Sequence, residues 1–162
     1  MLLRILIADD HTVLRTTLKT VLETHADWQV CGEAANGLEA VQKAADLKPD
    51  VIILDLAMPK MDGLQAASQI STAFPHLPIL IYTNYDLSRE AKLGARKHGV
   101  RQVINKGASP GLLVKAIAAL QNDKLRDSSW GTPLRPCRND SVRLTDRAPS
   151  TAPEGRPTED QP

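Results

Sequence analysis

Polar groups stand directly after four short apolar runs. Asp9-Asp10 follows Leu3 to Ala8, Asp55 follows Val51 to Leu54, Thr83 follows Ile79 to Tyr82, and Asn105-Lys106 follows Gln102 to Ile104. Three carboxylates with one hydroxyl and one ammonium, and no thiolate among them, suit phosphoryl transfer better than peptide hydrolysis or redox chemistry. Carboxylates brought together repel one another. A hard divalent cation such as Mg²⁺, which prefers oxygen ligands, relieves that repulsion. The cation and Lys106 would then spread over the equatorial oxygens of a phosphoryl group while one carboxylate attacks phosphorus. His11 follows the acidic pair, but no second histidine lies at ligand spacing, so it is not assigned to a metal. Taken one at a time these residues have plainer roles: Asp10 or Thr12 could cap a helix, Asp55 could end a turn, and Lys106 could be a solvated charge. Their joint placement favours function.

Placing them requires a scaffold of alternating strands and helices. The apolar runs Leu3 to Ala8, Val51 to Leu54 and Ile79 to Tyr82 are continuous, as in strands covered on both faces, whereas Trp28 to Ala34 alternates and suits an edge. Gln102 to Ile104 makes a fifth strand. Between them run helical stripes: Val13, Leu14, Leu18, Val21 and Leu22; then Leu38, Val41, Ala44 and Ala45; then Leu64, Ala67 and Ile70. Ala91 and Ala95 make a short fourth stripe, and Leu113, Ala116, Ile117 and Leu120 a fifth. Asn36-Gly37, Lys48-Pro49-Asp50 and Pro75 to Pro78 supply turns. Right-handed crossovers leave the flavodoxin-like order 2-1-3-4-5 as the most economical α/β arrangement: a doubly wound five-stranded parallel sheet with five helices. Such sheets bind ligands beyond the carboxyl ends of their strands, where neighbours lie about 4.8 Å apart. The polar groups named above all fall there.

Composition narrows the class further. With 162 residues, 20 Lys plus Arg and 19 Asp plus Glu, the net charge of +1 offers no overall basic field for nucleic acid. No stretch approaches the roughly 18 apolar residues of a membrane span, and the first apolar run is short and contains Arg4, so a cytoplasmic protein is expected. Cys31 and Cys137 have neither disulfide-framework nor zinc spacing and read as free thiols. Residues 126–162 contain 6 of the 11 prolines, few apolar residues, and equal numbers of acidic and basic ones. They are expected to be a disordered tail following a domain of residues 1–125.

The segment Asp55-Leu-Ala-Met-Pro-Lys-Met-Asp-Gly63 resembles the phosphoacceptor strand and loop of response-regulator receiver domains. The resemblance continues through Asp9-Asp10-His11, Ala35-Asn36-Gly37-Leu38-Glu39-Ala40, Thr83, Gly94-Ala95 and Lys106, and so covers residues 1 to 121. The Asp-Asp-His start and the run from Lys106 to Pro110 resemble the NarL/FixJ-type branch. This implies phosphorylation of Asp55 by a sensor histidine kinase or histidine phosphotransfer protein. Asp9, Asp10, Asp55 and the Ala57 carbonyl would hold Mg²⁺, and Thr83 and Lys106 would contact phosphoryl oxygens. It also implies a switch rather than an enzyme acting on other substrates, signalling through protein contacts. Pro59 would shape the acceptor loop, Gly63 would admit the third helix, and Asp62 would cap that helix rather than bind metal. A weak phosphorylation-linked homodimer through the fourth helix, fifth strand and fifth helix is compatible with the resemblance.

Several positions depart from the family pattern. Val103 replaces the usual aromatic residue, so a ring cannot swing inward when Thr83 turns toward the phosphate. Asn84 places an amide beside Thr83, and Ala57 has no polar side chain; both are expected to affect aspartyl-phosphate lifetime. Leu144-Thr-Asp-Arg147 resembles the start of a LuxR-type helix-turn-helix domain, but Ala148 to Arg156 contains two prolines and no large apolar residue. A truncated or frame-altered regulator without an intact DNA-binding domain is therefore expected. The alternatives are a DNA-binding transcriptional regulator of NarL/FixJ type in truncated form and a binding module that has lost phosphorylation. A haloacid-type phosphatase is disfavoured by the missing Asp-x-Asp signature, and nucleotide binding by the missing glycine-rich phosphate loops.

Overall fold

The structure is a computed structural model that describes residues 2–126, with side chains described for residues 2–122. Its elements alternate as expected: β1 Leu3–Ala8, α1 Thr12–Leu22, β2 Trp28–Ala34, α2 Gly37–Leu47 and β3 Val51–Leu54 come first. α3 Gly63–Ala73, β4 Ile79–Thr83, α4 Arg89–Lys97, β5 Val100–Asn105 and α5 Pro110–Arg126 follow. All strand pairs are parallel, and the spatial order is β2-β1-β3-β4-β5. This is the flavodoxin-like arrangement, with β2 at one edge and β5 at the other. Strand β4 extends one residue beyond the expected run and β5 begins two residues before it and ends one after. Val100 pairs with Ile79 of β4, and Arg101 falls at the register shift before Gln102 pairs with Leu80; the apolar pattern there is too broken to mark a strand. No helix among the described residues is long and apolar enough to cross a membrane.

Successive side chains of a strand face opposite ways, and the core divides accordingly. Ile5, Ile7, Val51, Ile53, Leu80, Tyr82 and Ile104 pack on one face with Leu18 and Leu22 of α1 and Leu113, Ala116 and Ile117 of α5. Leu6, Ala8, Ile52, Leu54, Ile79 and Ile81 pack on the other with Ala40, Ala44, Ala66, Ala67, Ile70 and Ala95. Small residues on α2 and α3 let those helices lie close to the sheet.

Parts of the predicted stripes face solvent. Val13 is 80% exposed and Leu38 50% exposed, while Ala45 is also on the surface. The buried face of α2 is Gly37, Ala40 and Ala44 instead, because packing against β2 and α3 selects the side with the smallest residues. Helix α5 continues through Arg126, so the first position of the expected tail is helical. The remainder of that tail, with Leu144 to Arg147, lies outside the described residues.

Candidate functional site

The site is assembled at the carboxyl edge of the sheet, where the register leaves Asp9 and Asp55 on adjacent strands. Ala8 of β1 pairs with Leu54 of β3, so both aspartates emerge at the same level. Asp55 N–H donates to the Ala8 carbonyl at 2.8 Å, and Asp9 N–H donates to the Ala34 carbonyl of β2 at 3.0 Å. On the far side Thr83 pairs with Asn105, and the Lys106 N–H donates to the Thr83 carbonyl at 2.8 Å. Three separate strand ends thus present Asp9, Asp55 and Lys106 to one volume.

Lys106 Nζ lies 2.6 Å from Asp9 Oδ2 and 3.1 Å from Asp55 Oδ2. All three side chains are nine-tenths or more buried. Burial pushes the Asp55 carboxyl above its ordinary pKa, against the opposing pull of Lys106. Burial also works against the Lys106 ammonium, but its hydrogen bonds and charge attraction to Asp9 and Asp55 outweigh that and raise its pKa. The other carboxylate oxygens have their own partners. Leu56 N–H donates to Asp55 Oδ1 at 2.8 Å, and His11 N–H donates to Asp9 Oδ1 at 2.8 Å.

The remaining expected residues sit around this centre in different states. Asp10 is at the surface, its Oδ1 2.8 Å from His11 Nδ1, and ligand atoms of Asp9, Asp10 and His11 lie within 4.8 Å of one another. Thr83 is fully buried; its hydroxyl accepts the Tyr85 N–H at 3.2 Å and keeps its own hydrogen free to donate. Ala57 and Asn84 are exposed, and Val103 is half-buried against the α4 side of the core.

The loop after Asp55 is fixed by backbone bonds. Met61 N–H donates to the Pro59 carbonyl at 2.7 Å, with Lys60 between them in the left-handed region at φ 66°. Asp62 caps α3 in a reciprocal box with Gln65, in keeping with its expected role. Neither Asp10 nor Thr12 caps α1. His11 occupies the N-cap position without a side-chain bond, and its own N–H donates to the Asp9 carboxylate.

Two contributors carry no signal in their spacing. Arg15 of α1 donates from Nη1 to the Asp9 carbonyl oxygen and from Nε to Glu33 Oε2 of β2, at 2.5 and 3.2 Å. Their sequence separations are irregular, so only folding brings them together.

A divalent cation fits the donor set. Asp9, Asp10 and Asp55 against the single ammonium of Lys106 leave two negative charges, and every carboxylate donor is a hard oxygen. The ammonium uses Oδ2 of Asp9 and of Asp55, and each Oδ1 accepts one N–H and keeps a second lone pair that, with the Asp10 carboxylate, could face a cation.

Comparison with known sequences decides the family, since the profile of the response regulator receiver domain matches residues 5–118. The chain belongs to the response-regulator receiver family. The receiver is 40% identical over 113 residues to the uncharacterized transcriptional regulatory protein YhcZ of Bacillus subtilis, covering 70% of this chain and 52% of that protein. It is also 40% identical over 90 residues to the response regulator protein VraR of Staphylococcus aureus, covering 56% of this chain and 43% of that protein. The chain therefore spans about half the length of these curated relatives.

Among solved structures, it resembles a LuxR-family two-component response regulator from Aurantimonas sp. SI85-9A1. The TM-score there is 0.70 with 31% identity, over 75% of this chain and 87% of that one. It also resembles the response regulator domain of Thermotoga maritima CheB, with TM-score 0.61 and 29% identity over 82% of this chain and all of that one. Homologues of the receiver are thus LuxR/NarL-type response regulators.

Proposed function

We propose that this receiver takes a phosphoryl group onto Asp55 from a histidine kinase or histidine phosphotransfer protein and signals through a protein surface, with residues 1–125 as the working unit. The observation that carries this reading is the buried Asp55 carboxylate joined through Lys106 to Asp9. Leu56 N–H fixes the rotation of the carboxylate. An Asp55 oxygen attacks phosphorus on the donor's phosphoimidazole; the P–O bond forms as the P–N bond breaks, and the imidazole leaves with the bonding pair. Lys106 then has an anionic phosphoryl oxygen to pair with, and the Thr83 hydroxyl has a hydrogen to donate. Mg²⁺ held by Asp9, Asp10, Asp55 and the Ala57 carbonyl would supply neutralising charge for the phosphoryl oxygens.

The test is incubation with acetyl phosphate and Mg²⁺ followed by intact mass measurement. A phosphate adduct in the wild type, lost in Asp55→Asn and on chelation, supports the reading. Its absence from the wild type favours a module that works without phosphorylation. The name of the YhcZ relative motivates a second reading, transcriptional regulation through DNA. All five helices of the described residues pack on the sheet, so a recognition helix would have to come from elsewhere. Sequence-specific duplex binding in a gel shift at physiological salt would favour that second reading.

A further inference from the structure

We propose that Arg15 is a positioning residue for cation binding, acting through the peptide plane that joins Asp9 to Asp10; the proposal rests on the reading of the acidic site given above. The guanidinium sends its donors to the loop after β1, to β2 and to the first turn of its own helix. Nη1 donates to the Asp9 carbonyl oxygen at 2.5 Å, Nε to Glu33 Oε2 at 3.2 Å, and Nη2 to Thr12 Oγ1 at 3.2 Å. Glu33 is itself anchored in β2, and its carbonyl accepts the Lys43 ammonium from α2. The side chain of Arg15 is only 12% exposed, and its bonds to Asp9 and Glu33 are partly buried, whereas the one to Thr12 is exposed.

The consequence follows from peptide geometry. The Asp9 carbonyl and the Asp10 N–H belong to one planar unit, so holding the carbonyl direction also sets the path of the chain into Asp10. Asp9 needs no such help, because its N–H, Oδ1 and Oδ2 are already engaged by Ala34, His11 and Lys106. The Asp10 carboxylate pairs with the exposed His11 ring, so its placement depends on the backbone. Arg15 thus ties the second acidic residue to the edge strand through Glu33. A lysine at position 15 would keep the charge but could not reproduce the planar three-way fork.

Charge and positioning predict opposite signs. Arg15 adds positive charge near a cation site, so by electrostatics alone its removal would tighten Mg²⁺ binding. Positioning predicts weaker binding for Arg15→Met and also for Arg15→Lys. The expected loss is about tenfold or more, the scale seen when groups that orient metal ligands are removed.

The experiment is titration of the whole chain with Mg²⁺ alone, followed by the amide NMR shifts of Asp9, Asp10 and Leu56, for wild type, Arg15→Met, Arg15→Lys and Glu33→Gln. Unchanged dispersion of amides distant from the loop controls for folding. Weaker binding in both Arg15 variants, with a smaller loss in Glu33→Gln, is the expected result. Wild-type affinity or tighter binding in Arg15→Met or Arg15→Lys overturns the positioning role while leaving the acidic site intact. Failure of the wild type to bind Mg²⁺ overturns the reading of the site, and this inference with it.

Discussion

The backbone of Gly63 at the start of α3 passes so close to Asp55 that a β-carbon on residue 63 would press into the Asp55 carbonyl oxygen. Gly63 N–H also donates to the Leu56 carbonyl at 2.9 Å, so the helix start and the acceptor loop are held together. No flexible side chain intervenes to absorb a methyl group. Gly63→Ala should therefore lose about 1–3 kcal/mol of stability, as overpacked sites do. Gly94 offers the contrast, since nothing lies within 4 Å of a β-carbon there and it is inside α4. Gly94→Ala should gain about 0.5–1 kcal/mol through helix propensity. Urea unfolding of the two variants checks both signs, and a neutral Gly63→Ala would refute the close-approach argument.

Lys106 bridges two buried carboxylates, so its removal strands both of them. In chelator, Lys106→Met should lose about 3–5 kcal/mol, the range found when one partner of a buried ion pair is deleted. Asp55→Asn should lose less, because Asp9 still holds the ammonium. Millimolar Mg²⁺ should restore part of the Lys106→Met loss by binding the folded state. Equal unfolding midpoints for wild type and Lys106→Met in chelator would contradict this account.

Glu39 gives a pH-dependent contribution remote from the acidic site. Its carboxylate accepts the Ala35 N–H and the Asn36 side-chain amide, and the Ala35 hydrogen bond chiefly holds its pKa below the usual value. A carboxyl depressed in the folded state stabilises above its unfolded pKa of about 4.3, and that contribution disappears as pH falls through the folded value. The side chain is 40% exposed, so the effect is modest and weakened by salt. The melting-temperature gap between wild type and Glu39→Gln should be full near neutral pH and close in acid. A gap that persists unchanged in acid would locate the effect outside ionisation.

Asn84 is exposed immediately after the buried Thr83. If its amide restricts water at a phosphorylated Asp55, Asn84→Ala should hydrolyse faster, by about threefold for ~0.6 kcal/mol of barrier. Phosphate release after acetyl phosphate is removed measures it. Equal lifetimes in the two proteins would leave Asn84 without this role.

Much of this molecule was legible from its chain alone, for a local reason. Strand runs such as Val51–Leu54 and the polar residues after them are contiguous in sequence, and a parallel sheet places all such ends on one edge. Asp9, Asp55 and Lys106 could therefore be assigned together before any geometry was known. Tertiary structure decided what periodicity cannot express. It selected the Ala40 and Ala44 face of α2 over Leu38, and it put His11 rather than Asp10 or Thr12 at the N-cap of α1. It also joined Arg15 to Glu33 and the Asp9 carbonyl. Those outcomes depend on which surfaces meet after the strands pair, and hydrogen-bond direction across elements leaves no repeat in the sequence.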